Sequence, residues 1–154
     1  MTRPAVLICL ILSAAPASAA DLCPLVAGLN LIVADLTGHT TPPCPSIGFA
    51  ALPEHGSIRS QAGAYFPDSG RIELAPDLDL TTIYGQSYLL HELVHAAQYA
   101  SGAQTTALCP AALEAEAYTV QAAYLRRHAL TEQALTVQLL ALHLGSCGAQ
   151  TDYQ

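Results

Sequence analysis

At residues 88–99 the chain reads YLLHELVHAAQY, a run with no Gly or Pro and no charge outside the residues that carry chemistry. The run predicts a continuous, largely apolar helix. Residues four apart share a helical face, so the imidazoles of His91 and His95 can converge on one metal ion with Glu92 beside a water bound to it. Unpaired polar groups are costly in apolar surroundings, which favours a metal site over two surface histidines.

A catalytic zinc ion takes three protein ligands and leaves one position for water, so a third ligand is needed. A third histidine close behind the first two would complete one known pattern, but Gln98 and Ser101 occupy those places. The next candidates are Glu114 and Glu116, on a following predicted helix. They lie about 200 degrees apart around that helix, so one ion can take only one of them. The helical positions favour Glu114, which faces inward, and leave Glu116 on a solvated flank.

The two segments together resemble the gluzincin families of metallopeptidases. In those families a His-Glu-x-x-His helix is followed by a helix that bears a ligand glutamate, often with alanine three and aspartate four residues further. Glu114 and Ala117 fit this pattern, and Tyr118 stands where the acid is common. The stretch from Arg71 to Leu125 is also similar to compact bacterial zincin-like proteins of unassigned function.

This resemblance implies a secreted zinc-dependent peptide or amide hydrolase. One Zn²⁺ ion would be held by His91, His95 and Glu114, and Glu92 would act as the general base towards a peptide or protein substrate. An amidase acting on cell-wall peptides would use the same chemistry. The alternative from a different class is a zinc-stabilised, disulfide-bonded binding module without turnover, which shares every ligand but does not need Glu92.

Further side chains are candidates for supporting roles. A hydrolase of this kind needs a donor that stabilises the oxyanion, and four residues are possible: Tyr84, Tyr118, Tyr124 and His128. Four histidines lie in predicted loops or near the last helices, and we expect them to be ordinary surface or core residues: His39, His55, His128 and His143. An exposed hairpin edge, near Ala64–Phe66 or Arg71–Leu74, can pair with an extended peptide.

The first twenty residues are typical of a secretory signal peptide. Arg3 precedes an apolar run from Ala5 to Leu12, and small residues follow as far as Ala20. The run is too short to span a bilayer. We therefore expect a leader at 1–20 and a single domain at 21–154, secreted or periplasmic, without a membrane anchor after cleavage.

Four cysteines remain after the leader, an even number that indicates two disulfides in an exported protein. Cys109 precedes one predicted helix and Cys147 ends the next, so an antiparallel helical hairpin would bring them together. We therefore expect Cys109 to pair with Cys147, which leaves Cys23 with Cys44. None of the four forms a close Cys-x-x-Cys pair, which argues against a cysteine metal site.

Composition narrows the classes of partner. After the leader, four arginines face twelve acidic residues, so nucleic acid and anionic membranes would be repelled. Hydrophobic residues make up 52% of the chain and charged ones 11%, which is ample for a packed core.

The order of predicted elements gives an α+β fold that is small and, by the resemblance, zincin-like. Apolar periodicity, turn residues and helix-stop signals place them as follows: an N-terminal helix at Pro24–Leu36, strand-like runs at Ile47–Ala50, Gly63–Phe66 and Arg71–Leu74 in a small antiparallel sheet, the His-Glu-x-x-His helix at Tyr84–Ser101, the glutamate-ligand helix at Pro110–His128 and a C-terminal helix at Thr131–Leu144.

Overall fold

The computed structural model describes residues 22–52 and 62–147 of the chain. The predicted leader and His55 lie outside these residues. The described part is an α+β fold of four helices and one small sheet, as predicted. In chain order the elements are α1 (Cys23–Thr37), β1 (Ser46–Phe49), β2 (Gly63–Phe66), β3 (Arg71–Leu74), α2 (Ile83–Ala100), a 3₁₀ turn (Ala103–Thr105), α3 (Pro110–Arg127) and α4 (Thr131–Gly145).

The sheet has the order β1-β3-β2, with β3 in the centre. The predicted hairpin is confirmed: β2 and β3 are antiparallel and pair Gly63 with Leu74. The prediction of a wholly antiparallel sheet is wrong, because β1 runs parallel to β3 and pairs Ser46 with Arg71. A parallel pair needs a connection long enough to bring the chain back to the same end, and the segment from β1 to β3, which includes β2, has that length.

The hairpin places one face of the sheet in the core. Ile72 and Leu74 are fully buried, while Arg71 is exposed, which is the alternation that the sequence predicts. Gly70 closes the turn with a φ of +63°, a left-handed conformation that glycine adopts without a steric penalty. The turn is secured by the backbone N–H of Ser69, which donates to the carbonyl of Phe66.

Helix α2 is the central element and contacts α1, α3 and β2. It begins where the Thr82 hydroxyl accepts a hydrogen bond from the backbone N–H of Gly85, and it ends just before the left-handed Gly102. Its apolar side chains are fully buried over several turns: Leu89, Leu90, Leu93, Val94 and Ala97. A helix that is apolar on most of its surface is a core helix, so the polar side chains of its motif are held among packed elements.

Two disulfides brace the helices, with the predicted pairing. Cys23 is bonded to Cys44 and ties the start of α1 to the loop before β1. Cys109 is bonded to Cys147 and joins the two open ends of the α3–α4 hairpin. Across residues 22–52 and 62–147, no helix is both long enough and apolar enough to cross a membrane. The two disulfides are compatible with an extracellular protein.

Candidate metal centre

Three side chains from two helices form a group that could hold a metal ion. His91 and His95 lie one turn apart on α2, and Glu114 lies in the second turn of α3. The two Nε2 atoms are 3.2 Å apart. The Glu114 carboxylate lies across both imidazoles, with Oε2 3.3 Å from Nε2 of His91 and Oε1 3.2 Å from Nε2 of His95. The fold therefore brings together the three residues that the sequence predicts as ligands.

These separations suit zinc. Nitrogen and oxygen ligands 2.0–2.1 Å from a tetrahedral ion lie about 3.3 Å from one another, and one ligand atom from each of the three residues lies within 4.8 Å of the others here. The side chains of His91 and His95 are 9% and 13% exposed, while that of Glu114 is 45% exposed. The nitrogen atoms of the two histidines are thus sheltered, while the Glu114 carboxylate is partly exposed to solvent.

Each imidazole has a glutamine behind it. Nδ1 of His95 lies 2.8 Å from Oε1 of Gln98, and Nδ1 of His91 lies 3.3 Å from Oε1 of Gln121. An amide oxygen only accepts, so each Nδ1 carries a hydrogen, and in the neutral form of each ring the lone pair that can bind a metal ion lies on Nε2. Both glutamines are fully buried, which holds the rings in place.

Neither glutamine is predicted from the sequence as part of the site. Gln98 is three residues after His95, a spacing that lets the two side chains meet on one helix. Gln121 is seven residues after Glu114, two turns along α3 on the same face. Tyr118 stands four residues after Glu114 and packs its ring against His91, with 4.5 Å between ring centroids. Gln121 thus provides a hydrogen-bond acceptor for Nδ1 of His91.

Glu114 and His95 form a charged pair within this group. Burial opposes ionisation of Glu114. Hydrogen bonds from His91 and His95 to its carboxylate, together with the positive charge of these imidazoles, outweigh burial and hold the pKa of this carboxyl well below its usual range. Burial also disfavours the charged form of His95, but the hydrogen bond to Glu114 and its negative charge raise the pKa of the imidazole to about 9. A carboxylate and an imidazolium therefore face each other at neutral pH.

Glu92, the predicted general base, is buried beside this group and is 6% exposed. Burial raises the pKa of its carboxyl, and the Glu114 charge acts in the same direction, while His91, His95 and a hydrogen bond from the backbone N–H of Tyr65 act against it. A carboxyl with a raised pKa is suited to taking and returning a proton near neutral pH.

Gly63, at the start of β2, makes room for Glu92. A Cβ placed on Gly63 would lie 2.8 Å from both Cγ and Oε1 of Glu92, closer than side-chain atoms approach each other. Sequence patterns alone treat Gly63 as an ordinary strand residue, because nothing local reveals a side chain from another element above it.

Glu116 is outside the metal-binding group, as predicted, but it is not merely solvated. Its Oε2 accepts hydrogen bonds from Nε2 of Gln98 at 2.8 Å and from Nε2 of His39 at 3.0 Å. His39 therefore has a protein partner, in keeping with the expectation of an ordinary histidine. His128 packs against the ring of Tyr124, and His143 lies in the last turn of α4.

The four candidate oxyanion donors differ in their surroundings. The Tyr124 hydroxyl donates to Oε1 of Gln86, and the Tyr124 ring packs at a tilt against the ring of His128. The Tyr84 hydroxyl is hydrogen-bonded to that of Tyr88 at 2.7 Å. Of the four, Tyr118 has a ring that packs against a residue of the metal-binding group.

The chain belongs to a protein family described as a domain of unknown function, DUF6647, which matches residues 48–153. The match includes β2, β3 and helices α2 to α4, and therefore all four residues His91, Glu92, His95 and Glu114. No curated protein and no solved structure matches the chain.

Proposed function

We propose that this protein is a zinc-dependent peptide or amide hydrolase with a small zincin-like fold. His91, His95 and Glu114 hold one Zn²⁺ ion, and Glu92 is the general base. The observation that carries the proposal is the convergence of the three side chains: their ligand atoms lie within 4.8 Å of one another, and both Nδ1 atoms are already engaged by glutamines. Two imidazoles and a carboxylate are a donor set that zinc commonly takes, and the 45% exposure of the Glu114 side chain supports access by a reactant.

Zinc at this position would supply Lewis acidity, which polarises an amide carbonyl and makes a water molecule nucleophilic near neutral pH. The chain supplies the proton transfers. Glu92 takes a proton from the attacking water and returns it to the leaving amine, a role for which its buried, raised-pKa carboxyl is suited. The backbone N–H of Tyr65 donates a hydrogen bond to the Glu92 carboxylate and orients it.

We propose that the substrate binds along the edge of β2 that faces away from β3. Ala62 and Leu74 accept hydrogen bonds from Ala75 and Ala50 respectively, so in this register the backbone groups of Gly63 and Tyr65 point away from β3. One of them, the Tyr65 N–H, already reaches Glu92. An extended peptide paired with this edge would lie beside the general base.

Of the two hairpin strands that the sequence suggests for docking, Ala64–Phe66 lies at the edge of the sheet formed by residues 22–52 and 62–147. Arg71–Leu74 is wrong as a docking edge because β3 is central and pairs on both sides. In the described part of the chain, β2 has β3 as its one strand neighbour.

The predicted leader and the two disulfides support a secreted or periplasmic location, where disulfides persist. In that compartment the substrates within reach are peptides, exported proteins and the peptide part of the cell wall, and amide hydrolysis in any of them needs the same groups.

The test is digestion of an unbiased peptide library and of purified cell-wall peptides by the zinc-loaded protein, with Glu92→Gln as the matched control. The wild type is expected to cleave an amide bond in one of them, and the variant to bind zinc but cleave at least 10²-fold more slowly. Cleavage that persists in the variant would reject Glu92 as the base. Zinc binding without cleavage of any amide substrate by the wild type would favour the non-catalytic binding module.

A further inference from the structure

We infer that Glu116 is a positioning residue for the metal centre, acting through Gln98 on His95. The inference rests on the proposed zinc site and extends it by a residue that is not a ligand. Glu116 lies on α3 two residues after Glu114, so the same helix carries a ligand on one face and, on another, the group that orients a ligand from α2.

The two hydrogens of the Gln98 amide determine how its side chain is oriented. Its Nε2 donates to the backbone carbonyl of Leu113 at 2.8 Å and to Oε2 of Glu116 at 2.8 Å. Both partners can only accept. Reversing the amide would place Oε1 against a carbonyl oxygen and a carboxylate oxygen, in a position where Gln98 is fully buried and water cannot compensate. The amide therefore has one orientation.

That orientation fixes the proton on His95. With Nε2 of Gln98 committed to Leu113 and Glu116, Oε1 faces Nδ1 of His95 at 2.8 Å and accepts its hydrogen. In the neutral imidazole the second nitrogen, Nε2, is then unprotonated, and it is the atom that faces His91 and Glu114. Glu116 thus selects, through one amide, the form of His95 that can bind a metal ion.

His39 fixes Glu116 in turn. Its Nε2 donates to the same carboxylate oxygen at 3.0 Å, and its loop is anchored by the Thr37 hydroxyl, which accepts from the His39 backbone N–H. The side chains of His39 and Glu116 are 19% and 36% exposed, so the carboxylate is held by protein groups on one side and reached by solvent on the other.

His91 provides an internal comparison. Its acceptor, Gln121, donates to the Ser87 hydroxyl at 3.1 Å, and that hydroxyl donates to the carbonyl of Tyr84. The neutral Ser87 hydroxyl thus accepts the hydrogen bond from Gln121, as the Glu116 carboxylate accepts the one from Gln98. We therefore expect replacement of Glu116 to affect His95 and to leave the proton position of His91 unchanged.

The experiment measures the affinity of the full-length folded protein for Zn²⁺ alone, by competition with a chelator, in wild type, Glu116→Leu and Glu116→Gln. Glu116 borders a cavity of about 230 Å³ lined mostly by alanine and leucine, including Ala107, Ala112 and Leu113, so a leucine can be accommodated. Glu116→Leu is expected to weaken zinc binding 10–100-fold, the range found when outer hydrogen-bond partners of ligands are removed.

Glu116→Gln separates the hydrogen bond from the charge. It removes the negative charge, as leucine does, but keeps an oxygen that accepts from Gln98. It is expected to restore most of the lost affinity, to within about threefold of wild type. Equal weakening in both variants would mean that only charge matters, and no weakening in either would mean that Glu116 does not act on the site. Either result would overturn the inference.

A double-mutant cycle and a spectroscopic signature complete the test. If Glu116 acts through Gln98, then Glu116→Leu has no further effect on zinc affinity in a Gln98→Leu background. In the zinc-loaded protein the Nδ1–H of His95, seen by nitrogen-15 NMR, should exchange with water faster in Glu116→Leu, while that of His91 is unchanged. Additive effects on affinity, or unchanged exchange at His95, would contradict the inference.

None of these measurements uses hydrolysis, so the inference and the proposed function can fail separately. A wild type that binds zinc but cleaves nothing would remove the hydrolase and leave the role of Glu116 intact. Zinc affinity that is unaffected by Glu116→Leu would remove the role and leave the hydrolase. A wild type that does not bind zinc would overturn both.

Discussion

The Glu92 carboxylate lies directly against the backbone of Gly63, where even a methyl group would meet Cγ and Oε1 of Glu92 at 2.8 Å. Because the colliding atoms belong to a side chain and not to backbone, Gly63→Ala should displace Glu92 while the fold persists, at a cost of about 1–3 kcal/mol in the free energy of unfolding. We expect hydrolysis to fall at least tenfold with zinc content unchanged, measured by steady-state kinetics and elemental analysis.

Gly48, in β1, is the matched control for Gly63. A Cβ there would meet a single atom, Cγ of Glu73, at an ordinary 3.9 Å. Gly48→Ala should therefore keep wild-type kinetics. Equal kinetics in Gly63→Ala and wild type would show that the position of Glu92 does not depend on the space at Gly63.

Zinc binding should release a proton from His95. Its pKa of about 9 means that the imidazole is charged at pH 7, and a charged imidazole cannot bind a metal ion. We expect His95 to contribute about one proton per zinc at pH 7 and about half a proton at pH 9, measured by titration calorimetry in buffers of different ionisation enthalpy. A binding enthalpy that is independent of the buffer at pH 7 would contradict this.

The two disulfides should differ in their effect on the metal centre. Removing Cys109–Cys147, which closes a separation of 38 residues, is expected to cost roughly 4 kcal/mol in the free energy of unfolding by the loop-entropy argument. Removing Cys23–Cys44, with a separation of 21, should cost roughly 3 kcal/mol. Both values are measurable by denaturant unfolding of the paired Cys→Ala variants.

Zinc affinity distinguishes these variants more sharply than stability does. Cys109 immediately precedes α3, five residues before Glu114, so this disulfide restrains the start of the helix that carries the ligand. We expect zinc binding to weaken when Cys109 and Cys147 are replaced and to change little when Cys23 and Cys44 are. The opposite order would show that the start of α3 is held in place by packing alone.

The helices and their order could be predicted from the sequence because apolar periodicity, Pro110 and the glycines at helix ends are local signals. That His91, His95 and Glu114 come together could be predicted as well, since the two histidines are fixed by helical spacing and Glu114 by its place on the next helix. The direction of β1 could not, because parallel pairing depends on the path of a long connection and not on any pattern within the strand.

The parts of the site that the sequence did not reveal all depend on contacts between elements. The need for glycine at position 63 comes from Glu92 on another element, and the role of Gln121 comes from His91. The prediction that Glu116 lies on a solvated flank is wrong, because its carboxylate accepts hydrogen bonds from the buried Gln98 and from His39 and is less exposed than that of Glu114. A helical wheel shows which way a residue faces and not what lies opposite, so Gln98 and His39 could not be anticipated as its partners.

The central claim is that His91, His95 and Glu114 bind one zinc ion, and the most direct test is the stoichiometry and affinity of zinc binding by wild type and Glu114→Gln. Glu132→Gln, on α4, removes the same charge outside the group and serves as the control. We predict one zinc per chain in wild type and in the control. In Glu114→Gln we predict that zinc affinity falls by more than about 100-fold, a larger loss than that expected when a residue that only hydrogen-bonds a ligand is replaced. Absence of zinc from the wild type, or equal affinity in all three proteins, would contradict the account.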